Sequence, residues 1–344
     1  MYFVLTFLAA FVAPPVASAH EVYVLPEEVV NQAISAPAFS QWNIILLNTD
    51  QFFGWGFIGA LAVLLVFLIS ISSSLENFFD PILAKLPPYA PLISRVTVGL
   101  ALLAGSYYGA LFGPELPLIE TFGSATDAVR VALAIIGVMI ILGFYTRTAA
   151  LAMLIIFGIE VVMQKTYMLT YLNYAGEMLL LLILGAHVLA VHNHESDLLH
   201  APERLLQIKE NLKPYAFLIL RIAFGTSLIY ASLYAKVIHN QLALNVAYTY
   251  PDIVHFFGFE PHFLVLGAAI IEILIGAFFI LGIEIRFTSL FLLFWLSLSL
   301  WYFGEAVWPH LILIGIPIAF MFYGYDQYSL EGRLFKRDGR EPVL

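Results

Sequence analysis

The sequence predicts an all-α integral membrane protein of about nine transmembrane helices, in which one leading span precedes two parallel tandem four-helix bundles. The chain of 344 residues is 61% hydrophobic and only 11% charged, with a mean hydropathy of +0.91. A soluble domain carries roughly 25% charged residues, so this chain lacks the charge to coat a water-exposed globule. Several apolar stretches reach the roughly 20 residues that a helix needs to cross a ~30 Å hydrocarbon core. Helices satisfy their own backbone groups in lipid, and the short alternating segments of a β-barrel are absent. The last eight of these stretches also repeat as two sets of four.

Taken in order, residues 1–19 read as a secretory signal peptide, with a short apolar core before Pro14-Pro15 and the small-x-small site Ala17-Ser18-Ala19. Residues 20–53 form an extracytoplasmic segment, with a short helix opened by Pro26 ahead of Glu27 and Glu28. The leading span and its linker occupy 54–90, and an aromatic collar of Phe52, Phe53 and Trp55 fits the interfacial belt. The first four-helix unit covers 91–203, with spans at about Pro91–Gly113, Asp127–Gly143, Thr148–Gln164 and Tyr171–Val191. The second unit and the tail cover 204–344, with spans at about Pro214–Ile238, Phe263–Gly282, Phe287–Phe303 and Pro309–Gly324.

Basic residues give an independent test of the threading. Lys85, Arg147, Arg204, Lys209, Lys213, Arg286, Arg333, Lys336, Arg337 and Arg340 all fall on one side of a nine-span chain, and Lys165 on the other. By the positive-inside rule this places the mature N-terminus outside and the C-terminus in the cytoplasm of a cytoplasmic-membrane protein. The net charge is −9 and no basic cluster sits on an aromatic or Gly-rich platform, so nucleic acid is not an expected partner. With no cysteine, the chain offers no disulfide, thiol catalyst or iron–sulfur ligand.

The repeat is legible residue by residue. Arg95, Gly99 and Tyr108 recur as Arg221, Gly225 and Tyr234, and Gly137, Gly143 and Arg147 as Gly276, Gly282 and Arg286. An even number of spans per unit means that both copies begin at the same membrane face, so the repeats are parallel. Their glycines are expected to let neighbouring backbones approach closely.

The second unit resembles the DoxX family of small four-span membrane proteins. The resemblance rests on the Arg221/Gly225/Tyr234/Lys236 helix, on Glu272-x3-Gly276-x5-Gly282-x3-Arg286, and on the exit Gly324-x3-Tyr328-Ser329-Leu330-Glu331. The first unit is a degraded version, with Leu133 in place of Glu272 and Ala110 in place of Lys236. What the resemblance implies is a DoxX/DoxD-like protein, of a family associated with quinone-linked sulfur oxidation and membrane redox complexes. Quinone is the cofactor it points to, and a soluble or membrane redox subunit the partner.

Ionisable groups inside a membrane are costly and are functional candidates by default. Depth counted from Pro214 and Gly282 puts Arg221 about 10 Å and Glu272 about 15 Å from the inner ends of their helices. An Arg221–Glu272 pair is therefore expected, with Lys236 too far outward to join it. Glu160, Glu177, Lys236 and His310, with Lys165, are expected near the outer surface. There they line a shallow ligand cavity or snorkel to water. Arg95 and Arg130 read as snorkelling residues. No histidine set has the spacing of a metal or bis-histidine haem site; His192-x-His194 and a free amino-terminal His20 stand without further ligands.

Three functions are consistent with this pattern. A quinone-associated or redox-complex membrane subunit without its own redox metal leads. A small-solute or ion transporter built on parallel repeats is the alternative, and a non-catalytic membrane assembly protein the third. Whether the chain is an enzyme is left open, and the second unit is where function is sought.

Overall fold

The computed structural model describes residues 25–70, 78–79, 81–186, 188–191, 207, 210–303 and 308–334. The signal-peptide expectation, His20, His187, His192 and His194 lie outside them. Two short helices, α1 (Glu27–Ser35) and α2 (Gln41–Leu47), open the described chain, and the Ser40 hydroxyl caps α2 by accepting from the Asn43 amide at 3.3 Å. The leading span is α3 (Thr49–Ser70). The first four-helix set is α4 (Ala90–Tyr108), α6 (Thr126–Leu142), α7 (Thr146–Gln164) and α8 (Leu172–Leu184), with a short α5 (Leu118–Phe122) between its first two members. The second set is α9 (Ala216–Ser232), α12 (Pro261–Leu281), α13 (Ile285–Phe303) and α14 (Pro309–Tyr323). The short α10 (Gln241–Thr249) and α11 (Pro251–Phe257) follow α9, and α15 (Leu330–Leu334) follows α14.

The all-helical membrane class holds, and the count of nine full-length spans is not reproduced. Among the described residues seven stretches are long and apolar enough to cross, one of them the 39-residue Thr146–Leu184, which contains both α7 and α8. These two helices pack against one another across a 3₁₀ turn at Lys165–Tyr171. α8 ends at Leu184, short of the expected Val191, because Gly185 turns the chain at φ +71°. α14, with 15 residues, is likewise short. At 1.5 Å per residue these two helices are only about 20 Å long.

The two sets make equivalent contacts. The broadest pairings are α4 with α6, α9 with α12, α8 with α9 and α14 with α4. The first two lie within a set. The other two are exchanged, since each set's last helix lies against the first helix of the other set. Small residues permit both kinds of contact. A Cβ built on Gly137 would stand 2.9 Å from the Gly99 carbonyl oxygen, and one on Gly276 2.6 Å from that of Gly225. At the exchanged contacts Gly176 faces Ala223 and Gly315 faces Thr97. These are equivalent positions in the repeat, so the arrangement has pseudo-two-fold symmetry. A single apolar core runs through both sets, from Val98 and Ile140 to Phe224, Phe279 and Phe320.

The bundle has two ends. The arginine end is built from four arginines folded over four left-handed glycine turns. Arg95 covers Gly143 and Arg221 covers Gly282, while Arg147 covers Gly185 and Arg286 covers Gly324. There Arg147 donates to the Leu184 carbonyl at 2.9 Å and Arg286 to the Met321 carbonyl at 3.0 Å. Carbonyls left over at helix C-termini are thus satisfied by cations, which the helix dipole also favours.

The opposite, cap end carries α1 and α2. Asn240 and the Phe39 backbone exchange two hydrogen bonds, 2.8 and 3.1 Å, and His239 contacts the Ile34 carbonyl at 3.2 Å. Leu25, Val30 and Ala33 pack on Ala235 and Leu242, and Ile44 on Phe263 and Leu266. α3 leaves this cap with none of its spanning window buried by protein.

Candidate functional site

The densest polar chemistry at span depth lies where α9 ends. The turn that continues it, Leu233–Ile238, is wound as a π-helix, a distortion frequent at functional sites. Lys236 Nζ lies 3.0 Å from Glu272 Oε2, with the two side chains 9% and 20% exposed. The freed backbone is satisfied from outside the bundle, as Gln41 Nε2 of α2 donates to the Lys236 carbonyl at 2.7 Å. Ser232, just before the π turn, reaches the Ala269 carbonyl of α12 at 3.4 Å. An apolar wall of Phe39, Ile44, Phe263 and Leu266 stands toward the cap end of α12.

This corrects the expected Arg221–Glu272 pair. Arg221 Nη1 lies 3.6 Å from Asp326 Oδ1, and Nη2 donates to the Tyr328 carbonyl at 3.3 Å. The expectation treated Pro214 and Gly282 as level, whereas the tip of the Arg221 side chain reaches Gly282, and Gly225 is level with Gly276. From that second level Lys236 stands roughly 16 Å along its helix and Glu272 roughly 6 Å. The residual ~10 Å is closed by side-chain lean, because Cα–Cβ bonds tilt toward the helix N-terminus. α9 starts at the arginine end and α12 at the cap end, so Lys236 and Glu272 lean toward each other.

The remaining candidates separate. Glu160 on α7 and Glu177 on α8 are each 0% exposed, and no carboxylate oxygen of either makes a hydrogen bond. Their near polar neighbours are the Thr121 and Ser94 hydroxyls. Such burial is the opposite of snorkelling. His310 is also buried, in the first turn of α14, and Lys165 is exposed. Arg95 is 2% exposed, so it does not snorkel. Arg130 is partly exposed and donates to the Ser106 and Tyr107 carbonyls at 3.0 and 3.1 Å, closing the C-terminus of α4.

Two groupings escaped the sequence reading. Asp326, the partner of Arg221, sits inside the exit motif, two residues before Tyr328, and only the fold brings it to Arg221. At the seam between the sets, Glu115 accepts from Tyr167 at 2.9 Å and from Tyr171. Tyr167 in turn packs on Tyr234 with ring centroids 5.2 Å apart. Glu115 reads in sequence as a loop acid, and nothing in its spacing marks the tyrosines that hold it. Among the described residues no group of three or more His, Cys, Asp or Glu is placed to hold a metal.

The architecture defines a polytopic α-helical membrane protein with an internally repeated four-helix plan and an ion pair buried in its second copy. Residues 216–305 match the DoxX family model, so the chain carries a DoxX-like domain from α9 to the end of α13. That segment contains Lys236 and Glu272 and stops short of Asp326. No curated protein and no solved structure matches the chain.

Proposed function

We propose that the protein is a quinone-associated membrane subunit, without a redox metal of its own, that holds a quinone headgroup at Lys236 and Glu272. The observation that carries this is the ion pair itself: it lies at span depth in the DoxX-like segment, and its carboxylate is partly exposed. A quinone diffuses within the bilayer and presents two carbonyl oxygens. The Lys236 ammonium is a donor for one of them, Glu272 orients that ammonium, and the apolar wall of α2 and α12 suits the ring. A bound quinone would supply electron and proton uptake, which this cysteine-free chain does not offer from its own side chains. A soluble or membrane redox subunit is the partner this reading requires.

The test is gentle purification followed by solvent extraction. Wild-type protein is expected to carry quinone, and Glu272→Gln, with its ammonium released from the pair, to lose most of it. Equal quinone in both, or none in the wild type, would sink the reading.

A transporter is the second reading, supported by the parallel repeats and by the two buried carboxylates of the first set, Glu160 and Glu177. It predicts solute-dependent flux in liposomes that Glu177→Gln abolishes.

A further inference from the structure

The pseudo-symmetry allows each arginine of the arginine end to be compared with its counterpart. Arg221 and Arg95 occupy equivalent positions, each laid over a left-handed glycine, Gly282 or Gly143. Each donates through Nη2 to an equivalent carbonyl, Tyr328 or Leu189, at 3.3 and 2.8 Å. In the second set the charge of Arg221 is met by the Asp326 carboxylate. In the first set the residue aligned with Asp326 is His187, which carries no negative charge, and Arg95 forms no ion pair with a described residue. Its Nε makes no hydrogen bond although the side chain is buried. A buried guanidinium without a counter-charge costs several kcal/mol.

Beside Arg95 lies a cavity of about 260 Å³, walled by Pro91 and Leu92 of α4, by Leu184 at the end of α8 and by Val188 beyond it. The set that lacks the aspartate thus has room for an anion beside its arginine. The walls are apolar, and Arg95 is the charged residue among them, a guanidinium suited to pairing with an oxyanion.

We propose that this cavity binds a phosphate oxyanion whose negative charge does for Arg95 what Asp326 does for Arg221. Two sources carry that chemistry, the headgroup of an acidic phospholipid and free phosphate. The apolar walls, at the membrane edge that the arginines mark, favour the lipid. The site is at the opposite end of the bundle from the quinone reading and does not depend on it.

The test uses the full chain in phosphatidylcholine nanodiscs, with binding read by native mass spectrometry and thermal shift. One probe is phosphatidylglycerol in the disc and the other inorganic phosphate in the buffer. Wild-type protein is expected to retain one phosphatidylglycerol, and Leu92→Trp, which fills the cavity and leaves the guanidinium and its bond to Leu189 in place, to bind it at least about tenfold more weakly. Arg95→Gln should lose it as well, and if that variant fails to fold, Leu92→Trp decides alone. Retention of inorganic phosphate in place of the lipid, with the same loss in Leu92→Trp, assigns the site to the free anion. Equal binding by wild type and Leu92→Trp, or no binding of either probe by the wild type, overturns the proposal.

Discussion

At the scale of single residues, the fold treats its intramembrane charges in two ways. Arg221 with Asp326, and Lys236 with Glu272, are neutralised in pairs. Glu160 and Glu177 are sealed in without a hydrogen bond. Removing one partner of a buried pair leaves an uncompensated charge, whereas replacing both with apolar groups is often neutral. Lys236→Met alone should therefore destabilise the protein by about 2–3 kcal/mol, less than a fully buried pair because Glu272 keeps some exposure. Lys236→Met with Glu272→Met should recover most of that loss, and thermal unfolding in one detergent compares them. Asp326→Asn should lower stability more than removal of an exposed acid such as Asp127, because it strips the counter-charge from a 2%-exposed arginine. The ionisable residues themselves were legible from the sequence, since each interrupts an apolar run. Their partners were not, because pairing depends on which helix levels coincide and which way side chains lean.

At the scale of helices, the glycine spacing was the most informative local signal. Gly99 and Gly137, and Gly225 and Gly276, bring α4 onto α6 and α9 onto α12 with carbonyl oxygens where a methyl group would have to go. Gly276→Ala is expected to cost about 1–3 kcal/mol through overpacking. Gly54→Ala, which would meet nothing within 4 Å, should change stability little. A similar response at both positions, read as the shift in unfolding midpoint, would mean that the approach of α9 to α12 is not what holds these helices. Helix ends were less legible. Val191 looked like the end of a span on hydropathy alone, but Gly185, held under Arg147, stops α8 earlier. The π turn at Lys236 has no composition signature, and the Gln41 amide that satisfies it lies far off in sequence. The cap formed by α1 and α2 was likewise readable only as a short helix after Pro26, because its docking rests on single side-chain amides such as Asn240.

At the scale of the molecule, the duplication was visible in sequence while its geometry was not. Aligned arginines and glycines give the two four-helix sets, yet no periodicity indicates that α8 packs on α9 of the other set, and α14 on α4. Small residues at equivalent positions, Gly176 against Ala223 and Gly315 against Thr97, make that exchange possible, and they read in isolation as ordinary membrane-helix residues. The exchange also bears on the expectation that function is sought in the second unit. The α8 of the first unit helps to hold the DoxX-like helix α9, and that unit contains the most deeply buried carboxylates in the described protein. The absence of cysteine makes this arrangement directly measurable, because any introduced pair reports without background. Cysteines placed at 176 and 223, and separately at 97 and 315, should each form an intramolecular disulfide on mild oxidation in membranes, with both pairs reacting to a similar extent. Failure of both pairs, with the protein still folded, would contradict the exchanged two-fold arrangement on which the description of both ends rests.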